Sequence, residues 1–145
     1  MPYCKIIVHL VFSTKNRVPY ITKELKPVLL EHIKQNSIAK AIFIDTINCM
    51  EDHIHILLSL GTEQSISKVA MLLKGESSFW VNKQKLISQK FEWQDEYYVT
   101  SVSESAVGIV RKYIQNQEEH HKKKNFREEY EEFITENGLA ASILG

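Results

Sequence analysis

Glu51-Asp52-His53-Ile54-His55-Ile56-Leu57-Leu58 is the stretch on which the fold of this chain turns. It interleaves β-branched and aliphatic residues with two histidines, the composition of a β-strand. Side chains alternate faces along a strand, so His53 and His55 share one face while Ile54 and Ile56 share the other. The isoleucines can join a core, and the two imidazoles stand side by side, spaced to share one metal ion. Two histidines are half a site, because most metals take three or more protein ligands or bound waters. The remainder has to come from elsewhere in the chain.

Upstream, residues 40–50 alternate Ala41, Phe43, Asp45 and Ile47 against Ile42, Ile44 and Thr46, which predicts a strand. The short 48–52 link then makes a hairpin with the histidines at the start of its second strand. Further back, Cys4-Lys5-Ile6-Ile7-Val8-His9-Leu10-Val11-Phe12 is too continuously apolar for a solvated edge and reads as a central strand. His9 within it reads as a packed, hydrogen-bonded core residue rather than a ligand. Residues 13–20 form a loop carrying Lys15 and Arg17, either a solvated turn or a phosphate-contacting loop. Residues 22–36 place Leu25, Val28, Leu29, His32 and Ile33 at helical spacing, and Pro27 predicts that the regular part begins near it.

Downstream, residues 65–84 read as a second helix with Ile66, Val69, Ala70, Leu72 and Leu73 on its apolar face and Gly75 as an interruption. Phe91-Glu92-Trp93-Gln94 follows, then a fourth strand at 97–100. Ser101-Val102-Ser103-Glu104 has the spacing of a capping box, which predicts a third helix from there to about residue 123. A fourth helix spans 126–135 and stops at Asn137-Gly138. The order strand, helix, strand, strand, helix, strand is the split βαβ, ferredoxin-like pattern. The expected architecture is α+β: an antiparallel sheet with helices packed on one face, plus C-terminal helices, in a single domain over 1–145. The first and third strands are then the central pair.

The chain has 145 residues, 43% hydrophobic and 25% charged, ordinary for a globular protein and enough for a real core. Lys and Arg number 18 and so do Asp and Glu, so overall charge offers no argument for nucleic acid. Any DNA-binding surface must come from local clusters. No apolar run reaches membrane-spanning length, and the expected compartment is the cytoplasm. Cys4 and Cys49 fall in apparent strands and read as buried thiols rather than a disulfide.

The third helix contains Tyr113-Ile114-Gln115-Asn116-Gln117. Tyr113 and Gln117 are four apart and share a helix face. That face could present a phenol and a carboxamide to the two histidines, with the Gln117 oxygen as a third ligand and Tyr113 as a nucleophile. Taken alone, Tyr113 is more readily a core residue of an amphipathic helix, and Gln117 alone still more readily an ordinary helix residue. His120 and His121 could also be ligands, but adjacent helical residues diverge and the lysines beside them favour a solvated helix end.

These residues bring the chain close to a known family. It resembles the single-tyrosine HUH transposases of small bacterial insertion sequences, the IS200-like transposases, with their domesticated relatives associated with repetitive extragenic palindromes. The resemblance runs through Val11-Phe12-Ser13-Thr14-Lys15-Asn16-Arg17, Asp52-His53-Ile54-His55-Ile56-Leu57, Leu73-Lys74-Gly75-Glu76-Ser77-Ser78, Phe91-Glu92-Trp93-Gln94, Ser101-Val102-Ser103 and Tyr113-Ile114-Gln115-Asn116-Gln117-Glu118-Glu119-His120-His121, in family order. Glu96-Tyr97-Tyr98 departs from it, standing where the family often has a glycine.

The resemblance implies a metal-dependent enzyme that cleaves and rejoins single-stranded DNA at insertion-sequence ends. Tyr113 would form a 5′-phosphotyrosine, and His53, His55 and Gln117 would hold Mg²⁺ or Mn²⁺. No nucleotide cofactor is needed. The implied partners are a DNA hairpin near the element ends and a second copy of the chain, whose tyrosine helix can complete the neighbouring site. When bound to DNA, the protein would be nucleoid-associated. Lys15, Arg17, Lys68, Lys74, Arg111, Lys112 and the lysines at 122–124 are candidates for phosphate contact. Two other readings fit the same elements: a non-catalytic DNA-hairpin-binding regulator, and a small metal-binding protein with no nucleic-acid role.

Overall fold

The computed structural model describes residues 3–117 and Glu128. Its regular elements are β1 (Ile6–Ser13), α1 (Leu25–Ala39), β2 (Phe43–Cys49), β3 (His53–Leu60), α2 (Ile66–Gln84), β4 (Tyr98–Val102) and α3 (Val107–Gln115). Short 3-10 turns lie at Lys15–Arg17 and Glu104–Ala106. The strands form one sheet in the order β2-β3-β1-β4, and every pairing is antiparallel. The apolar β1 and the histidine-bearing β3 are therefore the central pair, as the ferredoxin-like order predicts.

Alternation splits the sheet into two faces. Val8, Leu10 and Phe12 of β1 and Ile54, Ile56 and Leu58 of β3 point to one side. There they meet Leu25, Leu29 and Ile33 of α1 and Val69, Ala70, Leu73 and Val81 of α2. Ile7 and Leu57 point the other way and meet Val110, Tyr113 and Ile114 of α3. So α1 and α2 share one face, and α3, the first of the C-terminal helices, covers the other. α1 and α2 are joined at their seam by His32, whose ring stacks on Trp80 with centroids 3.8 Å apart and whose Nε2 lies 2.6 Å from Glu76 Oε1.

Several boundaries differ from those read off the sequence. α1 starts at Leu25, whose N–H donates to Thr22 Oγ1 at 3.1 Å. Pro27 thus sits in the first turn, where its missing donor would have no helical partner anyway. Ser65 caps α2 by accepting from the Lys68 N–H at 3.3 Å. Gly75 does not interrupt α2, which runs unbroken through it. The expected capping box does not form: Ser101 and Val102 pair with Val8 and Ile7 in the sheet, and Ser103 makes no side-chain cap. Ladder hydrogen bonds claim these residues, so α3 begins only at Val107. Cys49 is buried, and Cys4 is a half-buried residue ahead of β1; both are free thiols. The predicted continuation of α3 to residue 123, the 126–135 helix, His120, His121 and the lysines at 122–124 lie outside the described residues, Glu128 apart.

Candidate active site

The register of the central pair assembles the histidines. His53 lies opposite Ser13, His55 opposite Val11 and His9 opposite Leu57. All three imidazoles therefore project toward α3, and all are fully buried. The His53 and His55 ring centroids are 5.1 Å apart. α3 lays the buried Tyr113 against them, its ring edge-on to His55 at 5.8 Å and to His9 at 6.2 Å. One chain thus brings its own tyrosine to its own histidine pair.

The end of α3 sets the fourth residue. Regular helix stops at Gln115, and Asn116 leaves helical geometry at φ −101° and ψ 23°. Gln117 is then tucked fully inside, its Nε2 donating to the Tyr113 carbonyl at 3.2 Å. Its Oε1 is buried with no hydrogen bond among the described residues. A buried carbonyl oxygen without a donor is costly, and such an oxygen suits a hard cation. Among the described residues no three His, Cys, Asp or Glu side chains cluster to hold a metal. An ion here would take two imidazoles and an amide oxygen, with remaining positions left to water or substrate.

The imidazoles are oriented from behind. His53 Nδ1 lies 2.8 Å from Asp52 Oδ1, and Arg17 Nε donates to Asp52 Oδ2 at 3.0 Å. Burial alone would raise the Asp52 pKa, but the His53 and Arg17 hydrogen bonds outweigh it and pull it to about 2. His55 Nδ1 lies 2.9 Å from His9 Nε2. In both ligand candidates Nδ1 is engaged, so coordination would fall to Nε2. Sequence reading missed both partners. Asp52 was adjacent to His53 in the motif, but its neighbour Arg17 arrives from the far end of β1. The β1–β3 register needed for His9 was not visible.

Two contacts fasten α3 to the edge strand β2. Arg111 makes a forked pair with Asp45, Nε to Oδ1 and Nη2 to Oδ2 both at 2.8 Å. Asn48 Nδ2 donates to the Ile114 carbonyl at 2.9 Å, meeting one of the acceptors a helix end leaves open. The Asp45 carboxyl is held below its ordinary range chiefly by the Arg111 hydrogen bond.

The predicted cations do not form one patch. Lys15 and Arg17 lie together past the end of β1, where Lys15 Nζ is 3.9 Å from Glu92 Oε1. Lys15 and Asn16 border a hollow of about 400 Å³ closed by residues 92–96. Lys74 donates to the Asp95 carbonyl at 2.7 Å, and burial lowers its pKa. Lys68 lies in the first turn of α2, on the opposite face of the sheet from the histidines. Lys112 is exposed on α3. The 91–94 segment is pinned to α2, with Trp93 Nε1 donating to Ser77 Oγ at 2.8 Å and Asn82 bonding both ways with the Phe91 backbone. Thr14 bridges to Trp93, so this segment also braces the loop that carries Lys15 and Arg17.

The sequence pattern of the family "Transposase IS200 like" matches residues 3–117, which spans β1 to α3. The chain belongs to the IS200-like transposase family. It is similar to the ISDra2 transposase TnpA of Deinococcus radiodurans, 28% identical over 115 residues, covering 75% of this chain and 81% of that protein. It is also similar to the transposase for insertion sequence element IS200 of Salmonella typhimurium, 30% identical over 120 residues, covering 79% and 78%. The fold matches a crystal structure of a Deinococcus radiodurans protein assigned as a transposase, with TM-score 0.64, 24% identity and coverage of 81% and 93%. It also matches a REP-associated tyrosine transposase bound to a REP hairpin, with TM-score 0.63, 14% identity and coverage of 84% and 73%. An IS200-family transposase is a DNA-binding protein of transposition, which sets aside the reading without a nucleic-acid role. No helix among the described residues is long and apolar enough to cross a membrane.

Proposed function

We propose that this transposase cleaves and rejoins single-stranded DNA at insertion-sequence ends through a covalent 5′-phosphotyrosine, with Tyr113 as nucleophile and His53, His55 and Gln117 as metal ligands. The observation that carries the reading is the packing of Tyr113 against His55 within one chain, 5.8 Å between ring centroids. The buried Gln117 oxygen four residues on supports it.

In the cleavage step the Tyr113 hydroxyl oxygen attacks phosphorus, and the bond from phosphorus to the 3′ oxygen breaks. The strand on the 3′ side of the cut stays on the tyrosine through its 5′ phosphate, as a phosphodiester, and the 3′ oxygen of the other strand segment leaves as a hydroxyl after taking a proton. Joining is the reverse: an incoming 3′-hydroxyl attacks the phosphotyrosine and releases the phenol. One phosphodiester is traded for another, so no nucleotide cofactor is consumed. A free phenol ionises only at about pH 10 and needs help at neutral pH. A divalent cation, Mg²⁺ or Mn²⁺, held by the two imidazoles and the amide would polarise a phosphate oxygen and favour the phenolate. The protein's own contribution is to fix Tyr113 on a helix tied down at Asp45 and Asn48, and to bury the site from bulk water.

We assign phosphate contact first to Lys15 and Lys112. Arg17, Arg111 and Lys74 are engaged by Asp52, Asp45 and the Asp95 carbonyl, and Lys68 is remote from the histidines. The proposed substrate is single strand flanking a hairpin, and the proposed working unit is a homodimer.

The test is a denaturing gel of the purified chain with single-stranded DNA from the flanks of its gene, with Mg²⁺ or Mn²⁺ and an EDTA control. The expected result is a protein–DNA band that needs metal and disappears in Tyr113→Phe. Hairpin binding on a native gel with no covalent band under any metal would replace this reading with the non-catalytic regulator.

A further inference from the structure

His9 is neither a proposed metal ligand nor the proposed nucleophile, yet it is fully buried in the central strand between Val8 and Leu10. An aliphatic residue would fill that place without the cost of burying a polar ring. The ring instead lies 5.1 Å from that of His55, with Nε2 2.9 Å from His55 Nδ1.

A hydrogen bond between two neutral imidazoles needs one N–H and one lone pair. If His9 donates, the proton of His55 sits on Nε2, and that nitrogen cannot bind a cation. If His9 accepts, His55 is protonated on Nδ1 and its Nε2 lone pair is available. At His53 the matching partner is Asp52, an ionised carboxylate that can only accept. The same outcome is thus forced there by a different group.

We infer that His9 is a positioning residue of the metal site: it accepts the Nδ1–H of His55 and holds that ring in the tautomer and orientation that leave Nε2 to coordinate. The inference rests on the metal-ligand reading of His53, His55 and Gln117. The two ligands are then backed unequally, His53 by a carboxylate tied to Arg17 and His55 by a neutral ring. Second-layer partners of this kind commonly carry about 10–100-fold in metal affinity.

The experiment measures Mn²⁺ affinity of the full chain by calorimetry or electron paramagnetic resonance for wild type, His9→Leu, His9→Gln and His55→Ala. Glutamine can set an amide oxygen near the position of Nε2 and so restore an acceptor. His9→Leu is expected to weaken Mn²⁺ binding about 10–100-fold, and His9→Gln to recover most of that loss. Equal affinity in wild type and His9→Leu would overturn the inference, as would equal losses in the leucine and glutamine variants. If Mn²⁺ binding is indifferent to His55→Ala, the metal-ligand reading itself fails and takes this inference with it. If His55→Ala abolishes binding and His9→Leu does not, only the role of His9 fails. Long-range proton–nitrogen spectra of wild type need no variant to fold. A His55 ring protonated on Nδ1 is expected, and one protonated on Nε2 would refute the role.

Discussion

Asp52 joins a surface guanidinium to a buried imidazole, and its charge state governs both contacts. Its folded pKa of about 2 lies below the ordinary 3.8. A depressed carboxylate contributes stability that is present above its unfolded value and lost as pH falls through the folded one. The Arg17–Asp52–His53 chain should therefore survive mild acid and come apart only near pH 2. A carbon-13 titration of the Asp52 carboxyl should show a midpoint well under 3.8; a midpoint at or above that value would contradict the geometry. Asp52→Asn keeps an acceptor for His53 but loses the charge that holds Arg17. It should weaken Mn²⁺ binding less than Asp52→Ala does, as calorimetry can check. At this scale the sequence was legible within single elements, along one strand and along one helix face. The shared face of His53 and His55 follows from alternation, whereas His9 and Arg17 are brought in by pairing between strands, which local composition does not encode.

α3 is the element on which the proposed chemistry depends, and its anchorage is polar at the rim and apolar beneath. Asn48→Ala removes the donor for the Ile114 carbonyl and should cost about 1 kcal/mol, the worth of one such hydrogen bond. It should also slow formation of the covalent band, because the tyrosine helix is less firmly seated. Denaturant melts and a time course of the gel assay would read the two effects separately. The Asp45–Arg111 pair has the same sign of pH dependence as Asp52: its help is present above the ordinary carboxylate range and fades in acid. α2 offers the opposite case. Gly75 is exposed within the helix, and a Cβ added there meets nothing within 4 Å. Gly75→Ala should stabilise the chain by about 0.5–1 kcal/mol, visible as a rise of about 2–4 °C in Tm. No rise would mean that the open space is filled in solution. The helices and β2 were readable from periodicity, and β1 from its unbroken apolar run. The start of α3 was not: Ser101 and Val102 have a cap-like spacing but are taken by the β1–β4 ladder, and pairing at the sheet edge outweighs a local cap.

Across the molecule, the sheet separates two interiors. One is apolar and thick, with Leu10, Leu29, Ile33, Ile54 and Ile56 almost wholly buried under α1 and α2. The other lies under α3 and combines a few aliphatic side chains with three histidines, a tyrosine and a glutamine. Leu10→Ala on the first side should cost about 2–5 kcal/mol in stability while leaving the covalent reaction of the remaining folded protein near wild type. Activity normalised to folded fraction would test this. The split βαβ order and the central strands were evident from the chain, but the opposite placement of α3 was not, since topology alone does not say which face a seventh element will cover. The partition has an evolutionary side. Drift on the α1–α2 side would mainly alter how much protein a cell accumulates, and drift on the α3 side how fast each molecule turns over. A library of single substitutions scored in parallel for abundance and for DNA joining should fall into two populations whose border follows the alternation of β1 and β3, with even- and odd-numbered neighbours in one strand landing in different populations.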